Sequence, residues 1–292
     1  MKKKILLLML TVMTGMSLFG CISIKLPETE ILSTENTTDI TTETTTETTG
    51  NPKLKDDKAV SARKESTYNP EGTLLNWNIY RYDKNNNLTS SIVNCTEDGD
   101  YSFYIKYEYD EKGNQISCTA YKKDEISYVI KYLYDDNNNC IKEITFGSDN
   151  TATLWHEYEY DDKGNRINQF SYRKNKPEPS QTAYEYDSNN NCIKETSYNS
   201  DKTIGSSKKY TYDAQNKLIK ETYTDEDSFY GYINNFEYDA NGNHIKTYSG
   251  KKASTLVEEN EYDKDNNLTK KTAYDKNGNL SLYYVYEDTS IE

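Results

Sequence analysis

Four stretches place acid and amide side chains at alternate positions, as calcium loops do at their start. They are Asp83-x-Asn85-x-Asn87, Asp239-x-Asn241-x-Asn243, Asp275-x-Asn277-x-Asn279 and Asp263-x-Asp265-x-Asn267. A helix–loop–helix calcium loop also needs Gly at its sixth position and Glu at its twelfth. Asn94, Gly250, Tyr286 and Tyr274 stand at the twelfth positions instead, so the stretches read as turns opened by a carboxylate and no metal is expected. Cys95, Cys118, Cys140 and Cys192 lack a Cys-x-x-Cys spacing, and only His156 and His244 supply imidazole, a poor donor set for zinc. Carboxylates are plentiful, yet they recur at repeat positions instead of forming one tuned pair. Neither a nucleophile motif nor a phosphate-cradling glycine loop is present. The chain is expected not to be an enzyme and to need no cofactor.

The elements that carry these residues repeat. Nine Tyr-Asp pairs follow residue 80, their acids being Asp83, Asp110, Asp135, Asp161, Asp187, Asp213, Asp239, Asp263 and Asp275. A period of about 26 residues marks a repeat architecture whose units are stable only against their neighbours. The last interval, 12 residues, suggests two similar half-units per repeat. In Tyr-x-Tyr-Asp-x-x-Gly-Asn-x-Ile the Tyr and Ile positions favour strand, and the two tyrosines share one face. Asp110, Asp161, Asp187 and Asp239 then open turns by accepting backbone N–H groups. Gly113, Gly164 and Gly242, with Asn190, Asn138, Asn216 and Asn266 in sister repeats, suit the left-handed conformation of a type I turn followed by a bulge. The expected fold is all-β, a repetitive antiparallel hairpin meander of about sixteen strands over 71–292, forming a curved sheet or open shell. In such a linear array the terminal units open first. Cys140 and Cys192 share a slot two repeats apart, so four strand spacings put them roughly 19 Å from each other. That exceeds disulfide reach, about 7 Å between Cα atoms.

The first residues are of another kind. Lys2, Lys3 and Lys4 precede an apolar run from Ile5 to Leu18, and then comes Leu18-Phe19-Gly20-Cys21. This ending resembles the lipobox of bacterial lipoproteins. The resemblance implies a signal peptide over 1–20, cleavage before Cys21 and lipid on its sulfur. It also implies an extracytoplasmic protein held at the cell membrane or outer membrane. Loss of the three lysines takes the net charge from −13 to −16. Nucleic acid, which demands a cationic face, is therefore not an expected partner. Residues 21–70 contain PETEILSTENTTDITTETTTETTG, too poor in apolar groups to offset ordering entropy. They read as a disordered tether spanning on the order of 40 Å.

Tyr158-Glu-Tyr160-Asp161-Asp-Lys-Gly164-Asn165-Arg166-Ile167 resembles the YD repeat of Rhs and teneurin-type proteins, whose hairpins coil into a β-shell. The likeness extends in weaker form over residues 80 to 286. It implies fold and surface location. The array is too short to enclose a toxin domain, so toxin delivery is not implied, although a remnant of an Rhs-type shell is one reading. Twenty-eight of the 29 tyrosines follow residue 70, where their rings can fill the sheet. If they do only that, the protein is a structural surface spacer. If some rings are exposed, it is a binding or adhesion scaffold for glycan or surface protein, with Trp77 and Trp155 as the candidate stacking residues.

Overall fold

The computed structural model describes residues 56, 58–96, 100–199, 201–226 and 230–289. Cys21, the signal-like segment and most of the segment read as a tether lie outside the described residues. Eighteen strands follow one another with no helix among the described residues. The first six are β1 (Ser61–Tyr68), β2 (Leu74–Tyr82), β3 (Leu88–Cys95), β4 (Phe103–Tyr109), β5 (Gln115–Lys122) and β6 (Glu125–Tyr134). Next come β7 (Cys140–Gly147), β8 (Ala152–Tyr160), β9 (Arg166–Arg173), β10 (Lys176–Tyr186), β11 (Cys192–Tyr198) and β12 (Ile204–Tyr212). The last six are β13 (Leu218–Asp225), β14 (Tyr230–Tyr238), β15 (His244–Ser249), β16 (Thr255–Tyr262), β17 (Leu268–Tyr274) and β18 (Leu280–Thr289).

Every strand pairs antiparallel with the one before and the one after it, and β1 pairs with β18 from Ala62↔Thr289 to Tyr68↔Tyr283. The meander is thus a closed barrel. Two expectations are corrected by this. The sheet has eighteen strands, not about sixteen, and it begins at Ser61, inside the stretch assigned to the tether. Residues 61–68 carry no Tyr-Asp pair, so a search by motif passes over the strand that closes the ring. Closure also removes the premise for expecting terminal units to open first, because no strand lacks a neighbour and no edge is left unpaired.

The repeated turn explains why the hairpins form. In the β8–β9 connection, Asp161 N–H donates to the Asn165 carbonyl at 2.9 Å and Gly164 N–H to the Asp161 carbonyl at 3.0 Å. Asp161 Oδ1 accepts the Lys163 and Asn165 N–H groups at 2.9 and 2.8 Å, while Oδ2 accepts Asn165 Nδ2 at 2.9 Å. The register then shifts between Glu159 and Tyr160, the bulge that follows such a turn. The third residue after each of the nine acids has positive φ, from 61 to 90°, whether it is Gly113, Gly164, Gly242 and Gly278 or Asn86, Asn138, Asn190, Asn216 and Asn266. Eight of these turns ring one rim of the barrel. The ninth, at Asp275, lies on the opposite rim, where Asn69, Gly147 and Asn199 open turns with the same pair of backbone bonds. The 12-residue interval is therefore one strand plus one turn, the half-unit that the spacing suggests.

At Gly164 (φ 82°) an added Cβ would meet only Asn139 Oδ1, at 3.6 Å, so a substitution there costs conformational energy and not space. Gly164→Val should destabilise the barrel by about 1–3 kcal/mol, whereas Gly164→Asn, the residue found at Asn190, should cost much less. Thermal melts of the two variants check this, and equal stabilities would contradict the turn's requirement for positive φ.

Candidate functional site

Register divides the wall into two faces. Ile105, Cys118, Ala120 and Ile130 form a buried cluster joined by Val93, Phe103, Tyr107, Tyr128 and Tyr132, and this is the inner face. Outside, Lys142–Glu157, Lys194–Glu185 and Lys270–Glu261 pair at 2.7 to 3.0 Å across neighbouring strands. A lipid-facing barrel needs an apolar outer band, and this outer wall is instead laced with charge. A ring of eighteen strands is too wide for its own side chains to fill. Each strand's backbone approaches only its two ring neighbours, and the inner tyrosines Tyr158, Tyr184 and Tyr210 remain half-buried. The ring thus encloses a lumen faced by these tyrosines.

Two rows of tyrosine line it. In seven of the nine motifs the second tyrosine donates its hydroxyl to a backbone carbonyl of the preceding repeat, at the first residue after that repeat's turn. Tyr109 thus reaches Leu88, Tyr134 reaches Gln115, Tyr160 reaches Cys140, Tyr186 reaches Arg166, Tyr212 reaches Cys192, Tyr238 reaches Leu218 and Tyr262 reaches His244, all at 2.5 to 2.9 Å. The first tyrosine does the same with a side chain eight residues after the preceding Asp. Tyr107 meets Ser91 at 3.2 Å, Tyr158 donates to Glu143 at 3.4 Å, Tyr184 to Gln169 at 3.3 Å and Tyr210 to Glu195 at 2.8 Å. The recurrence of acids at that slot, Glu143, Glu195 and Glu221, is readable in the sequence as a spacing, but its pairing with tyrosine requires the register. Burial raises the Glu143 carboxyl above its ordinary value even though Tyr158 donates to it.

Asp110, Asp161, Asp187 and Asp239, with Gly113, Gly164, Asn190 and Gly242, all lie on the eight-turn rim. Neighbouring turns touch there: Asn165 Nδ2 donates to Asn190 Oδ1 at 3.3 Å and Asn243 Nδ2 to Asn266 Oδ1 at 2.9 Å. Hydrogen bonds from Asn165, Asn191 and Asn243 hold the carboxyls of Asp161, Asp187 and Asp239 below their usual range. These carboxylates are engaged by their own turns. Trp77 and Trp155 are not brought together. Trp77, on the outer face of β2, lies under Lys64 Nζ at 4.8 Å, and Trp155, on the outer face of β8, stacks on Tyr172 at 5.2 Å. Cys140 and Cys192 sit on β7 and β11, four strands apart, in the slot that Leu88 and Leu218 fill elsewhere.

No protein-family model and no curated protein matches the chain. Among solved structures it is similar to a chain of the Tc holotoxin pore of Photorhabdus luminescens (15% identity, TM-score 0.35, 71% of this chain and 12% of that one). It is also similar to a chain in a complex of TcdB2 with TccC3 (20% identity, TM-score 0.37, 74% of this chain and 12% of that one). A third likeness is to a porin-like protein from Bacteroides uniformis (10% identity, TM-score 0.47, 78% of this chain and 97% of that one). The chain thus spans about an eighth of the length of the toxin chains.

Burial pushes the hydroxyls of Tyr107, Tyr109 and Tyr128 up to about 12, from an ordinary 10.0. A raised value means that the folded chain holds these protons more tightly than the unfolded chain does. The stabilisation is therefore complete below pH 10 and lost as pH rises through about 12. Phenolate absorbance of the folded barrel should lag behind that of the denatured chain over this window, and the melting temperature should fall across it. Superimposable titrations would contradict the ladder of buried hydroxyls.

Proposed function

We propose that the protein is a lipid-tethered extracytoplasmic scaffold, a divergent relative of YD-repeat shells, whose barrel binds glycan and performs no catalysis. The observation that carries this reading is the inner wall, where half-buried tyrosine rings recur from repeat to repeat. Their hydroxyls are already held by the neighbouring repeat, so the rings are fixed in place and lose little entropy on stacking against a sugar. An acidic body would be repelled by an anionic membrane surface, and lipid on Cys21 would supply the attachment that charge does not. The bonding of seven second-row hydroxyls to backbone favours one other reading, in which the tyrosines are wall material alone and the barrel is a surface spacer.

In cells making the full chain, the protein should partition with membranes, and Cys21→Ala should release it or leave it uncleaved. The purified full chain should bind a subset of an immobilised glycan panel. Unchanged partition of the variant would contradict the lipid tether, and silence across the whole panel would leave the spacer reading in place of the binding one.

A further inference from the structure

The slot that begins the strand after each rim turn is filled by Leu88, Gln115, Cys140, Cys192, Leu218, His244 or Leu268 in seven repeats, and in the eighth by Arg166. The guanidinium of Arg166 lies over two ring faces of the inner wall, Tyr158 at 4.5 Å and Tyr184 at 5.9 Å. These tyrosines belong to the strands on either side of β9, so the cation is held between them on the inner wall. A guanidinium offers five N–H donors. Gln169 Oε1, at 3.4 Å, and the Tyr184 hydroxyl engage at most two of them. Arg166 forms no salt bridge among the described residues. Among the other inner cations, Lys271 meets Glu258 at 2.6 Å and Lys208 meets Glu195 at 3.9 Å, while Arg63 lies over the Tyr286 ring and donates to the Leu268 carbonyl. Glu143 faces Arg166 electrostatically, but its carboxylate accepts from Tyr158. His156 beside it is held below its ordinary value by burial and by Arg166 and Arg173, so the fixed positive charge here belongs to the guanidinium groups and not to the imidazole.

We propose that Arg166, flanked by Tyr158 and Tyr184, is a subsite of the lumen for the carboxylate of an acidic sugar. A carboxylate matches the guanidinium fork with two parallel hydrogen bonds, and stacking of Arg on aromatic faces leaves that edge free. The sugar ring would then lie along the adjoining tyrosine row, so the inference rests on the glycan-binding reading and gives it a substrate class, uronate-bearing chains. In a chain of net charge −13, a guanidinium held without an ion pair selects by position, because the surrounding field disfavours anions elsewhere.

Isothermal titration of the purified full chain with a galacturonic acid trimer and with the neutral galactose trimer of the same linkage tests this. The acidic trimer should bind at least about tenfold more tightly, the worth of one bidentate charge-assisted contact. Arg166→Leu, which installs the residue of sister repeats and should keep the fold as judged by its melt, should bring the acidic trimer down to the neutral one and leave the neutral one unchanged. Arg166→Lys should restore only part of the preference. Equal affinities in the unaltered protein, or full acidic preference in Arg166→Leu, would overturn the subsite while leaving the glycan-binding reading intact. Binding of neither trimer overturns the subsite, and silence of the wider panel as well would remove the reading on which it rests.

Discussion

The barrel depends on a debt that each repeat settles on its predecessor. The second tyrosine of a motif has no partner for its hydroxyl in its own hairpin, and the carbonyl at the start of the preceding hairpin's return strand lies where that hydroxyl arrives. From Tyr109 on Leu88 to Tyr262 on His244 the same bond recurs. A hydrogen bond of this kind contributes only about 0.5–1.5 kcal/mol. Its importance is directional, since it locks each repeat at one register against the last. A slip by one residue would turn both tyrosines outward and leave the carbonyl unbonded.

Repetition at constant register builds a wall that must end or close. Ending would leave two long edges ready to pair with other chains. Closure is made by β1, whose sequence SARKESTY bears no tyrosine motif and which pairs with both β2 and β18. With the edges gone, the outer wall needs only solubility, supplied by lysine and glutamate pairs each worth little. The inner wall is left as the surface on which distinctive side chains accumulate. Arg166 is such a side chain. It occupies a slot that sister repeats fill with leucine, cysteine, glutamine or histidine, and its backbone carbonyl still accepts the Tyr186 hydroxyl as theirs do.

Local chemistry was legible in the sequence and long-range pairing was not. The turns could be read because every group involved lies within five residues of the acid: Asp161 bonds Lys163 and Asn165, and Gly164 or its asparagine substitutes supply positive φ. The outward placement of Trp77 was readable as well, since it lies an odd number of residues from Tyr80 and so on the opposite face. Its isolation from Trp155 was not, because that depends on the five intervening strands β3 to β7. The seam joins residue 62 to residue 289, and no pattern within either strand announces the other. The hand-off of hydroxyls between repeats belongs to the same class. Its residues lie about twenty apart and meet only once the register is set.

The central claim is that the repeats form a closed ring in which every strand has two partners. Amide hydrogen exchange of the full chain tests it most directly, because a closed ring lacks the weak ends of a linear array. The paired amides of β1 and β18 should be protected to the same degree as those of β8 to β11. Early exchange confined to β1 and β18, with protection rising steadily toward the middle of the chain, would contradict it.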